Sequence, residues 1–210
     1  MKLAGRRFVL VGACAFLLAA CQSDDGPPLP RYVSNSYSAG GSTVAPASYG
    51  VVQNGQAANA RVAAQGGYFI EFRSRYALSY GHSYVVFGRA DANGAMINPE
   101  VAGLAPASDS VTPYVLGHFV PVPAETGWSD GDLEEEYRSA SWRVMLSEAD
   151  YRRVVADIRK LQASSKSWSA TVYNCNAFVA SIANSMGFKA PGIWLRPQQF
   201  ITRLREMNGG

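Results

Sequence analysis

The sequence predicts an α+β domain in which an antiparallel sheet packs against a nucleophile-bearing helix. Three observations lead there. β-branched and aromatic runs come early, at Tyr68–Phe72 and Ser83–Gly88; amphipathic helical spacing comes late, from Ser147 onward; and Asp91-Ala92-Asn93-Gly94 lies where a strand must turn back. Strands first and helices late is the order expected of segregated layers.

The elements follow in chain order. Lys2, Arg6 and Arg7 precede an apolar run, Phe8–Leu18, which is short of the ~20 apolar residues that span a bilayer. A basic start, an apolar middle and small residues at the end have the shape of a secretory signal. Its last four residues, Leu18-Ala19-Ala20-Cys21, resemble the lipobox of bacterial lipoproteins. That resemblance implies cleavage after residue 20, a diacylglycerol thioether on Cys21 and acylation of its new amine. A plain signal with an incidental cysteine is the other reading of the same residues. Residues 1–20 are thus expected to be a lipoprotein signal peptide, and the acylated Cys21 would bring a lipid bilayer as partner. Gln22-Ser23 follow the cysteine, without the aspartate that retains many such proteins at the inner membrane. In a Gram-negative host this favours the outer membrane, facing the periplasm.

Loss of the signal removes three of the 19 basic residues and none of the 16 acidic ones, so the mature chain carries 16 of each and is formally neutral. No basic patch remains to argue for nucleic acid. Residues 21–65 are expected to be the lipidated cysteine and a flexible tether that holds a domain off the lipid surface. They are rich in Gln, Ser, Gly, Ala, Asn and Pro and punctuated by Gly26-Pro27-Pro28 and Gly40-Gly41-Ser42.

The folded domain is expected over 66–210. Tyr68–Phe72 and Ser83–Gly88 read as strands. Asn93-Gly94 reads as a two-residue hairpin turn, and Ala95–Asn98 starts the return strand. Val101–Pro113, rich in Gly, Ala, Ser and Pro, reads as loop, and Tyr114–Val120 as a short strand. Pro121–Glu136 reads as a polar connection whose Glu134-Glu135-Glu136 is a solvated run. Ser141–Leu146 is again a strand. Ser147-Glu148-Ala149-Asp150 matches a capping box. Behind it Tyr151, Val154, Val155, Ile158 and Leu161 share one helical face. A second helix is expected from about Cys175 to Met186, stopped by Gly187, and a last one over Pro197–Met207 with Phe200, Ile201 and Leu204 inward. About 145 residues can bury close to 70% of their unfolded surface, so the domain needs no disulfide.

The chemistry concentrates on Cys175. Of the three cysteines, Cys14 leaves with the signal and Cys21 would be lipidated, which leaves Cys175 without an intramolecular partner in an oxidising compartment. It sits where an extended segment becomes an apolar helix. The first-turn peptide N–H groups and the positive end of the helix dipole favour a thiolate there. A Cys beside a His is the minimum for an activated sulfur nucleophile, and the chain holds two histidines. His82 opens the strongest strand; His118 lies in Gly117-His118-Phe119.

Gly81-His82-Ser83-Tyr84-Val85-Val86-Phe87-Gly88 followed by Asn174-Cys175-Asn176-Ala177-Phe178-Val179 resembles the circularly permuted papain-like fold, related to the NlpC/P60 hydrolases and the lecithin:retinol acyltransferase family. The histidine strand preceding the cysteine helix matches the permuted branch. The resemblance spans 66–210 and is specific in these two blocks. It implies that Cys175 is the nucleophile, His82 the base, and the Cys175 peptide N–H part of an oxyanion site.

The family usually places a polar residue, often a second histidine, across the hairpin from the first. A two-residue turn at Asn93-Gly94 puts residue 105 opposite His82, and a slipped turn brings 103. Neither position in Val101-Ala102-Gly103-Leu104-Ala105 carries a polar side chain. Asn98, Glu100 or His118 would serve only if the return strand bulges or a later strand approaches; otherwise the pair is a dyad, and His118 is left to contact substrate or to do nothing special. Trp168, Tyr173 and Trp194 read as core or cleft wall. No cofactor and no metal site are expected, because no paired ligand spacing exists. The expected function is a cysteine hydrolase or an acyl or amide transferase of the cell envelope, with peptidoglycan peptides as a candidate substrate. A non-catalytic envelope module that retains the fold is the alternative.

Overall fold

The computed structural model describes residues 66–77, 80–108 and 110–210. The expected signal peptide, Cys21 and the tether lie outside them. The described chain is α+β: one six-stranded sheet with helices on one face. Its strands are β1 (Gly67–Arg75), β2 (His82–Ala90), β3 (Met96–Pro106), β4 (Val122–Gly127), β5 (Arg138–Leu146) and β6 (Ser167–Trp168), in the spatial order β5-β1-β2-β3-β4-β6. Every neighbouring pair is antiparallel.

The helices are α1 (Thr112–Leu116), α2 (Glu148–Ser164), α3 (Cys175–Ser185) and α4 (Pro197–Met207). α2 starts as its capping residues require: the Ser147 hydroxyl accepts the Asp150 N–H at 3.1 Å and donates to the Asp150 carboxylate at 2.7 Å. α3 ends at the expected glycine. Gly187 takes φ +81°, and the Phe188 N–H returns to the Ala183 carbonyl at 3.0 Å, closing the last turn with a left-handed residue. One core lies between sheet and helices. Ile70, Phe72, Val85, Phe87, Ala102, Leu104 and Val144 meet Val154, Ile158, Phe178, Ile182, Phe200, Ile201 and Leu204.

The other face of the central strands is buried too. Phe69, Tyr84, Val86, Val101 and Met145 form a smaller cluster there. Beside it Glu71 accepts the Arg73 Nε at 2.8 Å and the Arg143 Nε at 2.6 Å, and Arg73 also donates to Glu135 at 2.7 Å. Burial pushes the Glu71 carboxyl up, but Arg73 and Arg143 outweigh it and hold the carboxyl below its ordinary range. The 129–137 segment covers this face. Asp132 binds the Arg75 Nε at 2.6 Å, and its backbone carbonyl accepts the Tyr84 hydroxyl at 2.6 Å.

Four expectations are corrected. Val101–Pro106 is strand, not loop, because β2 and β4 pair with it on both sides. Tyr114–Val120 is not a strand: Pro113 stands at the start of helix α1, where a fixed φ and a missing N–H cost nothing, and turns follow it. Pro121–Glu136 contains β4 and ends in a short 3-10 helix, Glu135–Tyr137, and Glu135 is an ion-pair partner of Arg73 and Arg138 rather than a solvated carboxylate.

The fourth is the hairpin turn. Ala90 pairs with Met96, the Asp91 N–H bonds the Ala95 carbonyl, and only Gly94 in the loop has positive φ, +81°. The Asp91 carboxylate holds the loop by accepting the Asn93 and Ala95 N–H groups at 2.8 and 2.9 Å. The turn is therefore longer than the two-residue type. A bulge at Asn98, φ +44°, then inserts one residue into β3 and restores the register, so that Tyr84 faces Gly103. Continued along the strand, that register sets residue 105 opposite His82, as a two-residue turn would have done.

Candidate active site

The start of α3 is built by asparagine side chains. Asn174 caps the helix, accepting the Ala177 N–H at 3.0 Å while its amide donates to the Ala170 and Ile193 carbonyls at 3.0 and 3.2 Å. Asn176 is wholly buried. It accepts the Ser83 hydroxyl at 2.8 Å and donates to the Ile193 and Leu195 carbonyls at 3.0 and 2.7 Å. This clamp ties three pieces of chain together: strand β2, helix α3 and the segment leading into α4. It leaves no slack between His82-Ser83 and Cys175-Asn176. The sequence reading missed Ser83 and Asn176. Their adjacency to His82 and Cys175 was the available signal, but it identifies no partner without the fold.

Cys175 is the first residue of α3 and only 6% exposed; His82, the first residue of β2, is 8% exposed. Burial pushes the Cys175 thiol up. The His82 imidazole beside it, which favours the thiolate, outweighs that penalty together with the Ser83 peptide N–H, and the thiol lies below its ordinary value; the Ser83 hydroxyl proton is committed to Asn176. The peptide N–H at this first helical position has no intrahelical acceptor and is available to a developing oxyanion.

His82 is held by packing. Its ring stacks on Tyr84, centroids 5.6 Å apart and planes within 12°, and Tyr84 is fixed in turn by its bond to the Asp132 carbonyl. Burial, ahead of the neighbouring charges, pushes the Tyr84 phenol up, so it stays protonated as that donor. On the β3 side the imidazole rests on Gly103: a Cβ there would stand 2.7 Å from Nε2 and 3.3 Å from Cε1. The position across the hairpin from His82, where the resemblance expects a polar side chain, is Ala105 by the register, and the ring leans diagonally onto Gly103 instead.

The other expected residues lie elsewhere. Asn98 is exposed at the bulge, five residues along β3 from Gly103, roughly 17 Å at the strand rise. Glu100 is exposed and paired with Arg159. His118 is exposed after α1, its ring bonded to the Tyr114 carbonyl at 2.9 Å. Trp168 is core, Tyr173 is half-buried with its hydroxyl 3.0 Å from that of Ser165, and Trp194 is 74% exposed. Tyr80 and Tyr114 also border the site: burial, with the Cys175 charge contributing, pushes both phenols up.

No protein-family model, no curated protein and no solved structure matches this chain.

Proposed function

We propose that this protein is a lipid-anchored envelope hydrolase or acyl/amide transferase with a permuted papain-like domain, Cys175 its nucleophile and His82 its general base. The observation that carries the reading is the thiol itself. A nearly buried cysteine at a helix start has its pKa lowered, not raised, because an imidazole and Ser83 stand beside it. Burial without such partners would make the thiol inert.

In the reaction, the Cys175 thiolate attacks the carbonyl carbon, a C–S bond forms, and negative charge on the carbonyl oxygen is met by the Cys175 peptide N–H. Collapse breaks the bond to the leaving amine or alcohol, which takes the proton held on His82. A second nucleophile, water for hydrolysis or an amine or alcohol for transfer, then gives its proton to His82 and displaces the sulfur. Peptidoglycan peptides are the first substrate class to test, on the strength of the NlpC/P60 resemblance and of an anchor at Cys21; a likeness of fold alone does not choose the substrate.

Iodoacetamide supplies the test of the site. Rapid alkylation of Cys175 at pH 6, slowed in His82→Ala, is the expected result; ordinary thiol kinetics in both proteins refutes the nucleophile. Release of new amines from muropeptides, abolished by Cys175→Ala, tests the substrate. One observation favours the second reading, a non-catalytic envelope module that retains the fold: neither Ala105, opposite His82 in the register, nor Gly103, on which the ring rests, offers an orienting side chain. A reactive thiol with no turnover on amide, ester or thioester substrates would decide for it.

A further inference from the structure

Three stretches beside Cys175 carry no acidic or strongly basic side chain, although Arg196 stands near Tyr80, and Arg75 and Glu125 near Tyr114. In a chain in which 17% of residues are charged, no Asp, Glu, Lys or Arg occurs in 110–121, 167–187 or 190–195. The fold brings these three stretches together. The Ala170 N–H and the Ser169 hydroxyl both bond the Gly117 carbonyl, at 3.0 and 3.3 Å, and Tyr114 packs edge-on to Trp168. On the other side the Trp194 indole N–H bonds the Thr171 carbonyl at 2.9 Å, and Asn174 bonds Ile193. Beside polar Thr112, His118 and Thr171 they expose large apolar side chains: Val115, Leu116, Phe119, Val172 and Trp194, with Phe119 82% and Trp194 74% accessible. Trp194 uses its polar atom inward and leaves its ring outside, which suits an interface between water and an apolar phase. So much exposed apolar surface around one site marks a contact surface.

We infer that this surface docks on the lipid bilayer that holds the chain's own acylated Cys21, so that the Cys175 site faces the membrane. The inference rests on the anchor in the proposed function and not on catalysis. If residues 22–65 form the tether their composition predicts, a flexible chain of that length has a root-mean-square reach of roughly 35–40 Å, which holds the domain off the surface yet within reach of it. A tether of that length keeps the patch at an effective concentration on the order of millimolar relative to the membrane, where a handful of inserted side chains suffices. The contact is peripheral, since no described helix is long and apolar enough to cross a membrane.

The test uses the full acylated chain in phosphatidylethanolamine–phosphatidylglycerol vesicles, with plain or dibrominated acyl chains, and reads tryptophan emission. Trp142 and Trp168 are buried; Trp128 and Trp194 are exposed. Emission should fall in brominated vesicles. Trp194→Phe should remove most of that fall, Trp128→Phe should leave it, and Phe119→Glu should diminish it. Equal emission in the two kinds of vesicle overturns docking. So does a change that appears in both and grows with protein density, which would assign the surface to a second copy. Mass analysis showing Cys21 without lipid overturns the anchor reading and this inference with it, whereas an acylated chain with unquenched Trp194 overturns this inference alone.

Discussion

Replacing Gly103 with alanine isolates the support of the His82 imidazole, the proposed general base. The backbone at 103 lies outside the left-handed region, so alanine brings no φ strain there; what it brings is a methyl group 2.7 Å from the His82 Nε2 and 3.2 Å from the Tyr84 Cβ. Unstrained heavy-atom contacts are about 3.5–4.0 Å, so the ring must retreat by roughly 1 Å. Tyr84 gives way poorly, being wholly buried and bonded to the Asp132 carbonyl at 2.6 Å, which sends the displacement into His82. Overpacking of this kind costs about 1–3 kcal/mol of stability, and a misplacement near 1 Å costs about 100-fold in rate. Losing the imidazole should also let the Cys175 thiol rise toward its ordinary value, because burial, the opposing influence, remains. The assay is the pH profile of Cys175 alkylation beside urea unfolding. Gly94→Ala is the matched control: nothing lies within 4 Å of its Cβ, but its φ is +81°, so it should cost about 1–2 kcal/mol and leave the thiol profile unchanged. If Gly103→Ala keeps the wild-type alkylation profile while folding normally, the ring does not depend on that glycine and the site described above is wrong in its central contact.

Three further outcomes follow from the same structure. Asn176→Ala removes the acceptor of the Ser83 hydroxyl and the donor to two carbonyls, and should cost about 2–4 kcal/mol in urea unfolding. Asn176→Asp should be no better at neutral pH, since it sets a carboxylate oxygen against those carbonyls; a wild-type midpoint for either variant contradicts the clamp. Glu71→Gln strips the carboxylate shared by Arg73 and Arg143 inside the sheet and should destabilise by about 3–5 kcal/mol, with a loss under 1 kcal/mol counting against the network. The pH dependence of Cys175 has a definite sign. A group whose pKa is lower folded than unfolded adds stability that is fully present above its unfolded pKa and is lost as pH falls through the folded one. The stability difference between wild type and Cys175→Ala should therefore grow in favour of wild type from pH 6 to pH 9; a flat or falling difference refutes the lowered thiol.

Local signals carried much of the fold. The capping box at Ser147-Asp150, the apolar face from Tyr151 to Leu161, the proline opening α4 and the glycine closing α3 each act within a turn or two of chain, and each element stands where those residues put it. The same holds for β1, β2 and β5, whose branched and aromatic residues favour strands, although their ends run two or three residues further because pairing with neighbours extends them. Cys175 at a helix start and His82 at a strand start were legible for that reason.

The sequence by itself determined that Cys175 opens a helix and His82 a strand. Only the tertiary structure decided their surroundings, because those depend on contacts between pieces of chain far apart in sequence. Val101–Pro106 has poor strand composition and is a strand because β2 and β4 supply hydrogen bonds on both sides. The register that pairs Tyr84 with Gly103, and so lets the His82 ring lean onto that glycine, arises from two offsetting features, a longer turn and a bulge at Asn98, and neither is encoded in hydrophobic alternation. The Ser83–Asn176 clamp spans 93 residues, and the Glu71 ion network gathers arginines from two strands. Burial is what makes such distant polar pairs strong, and burial exists only once the layers have closed.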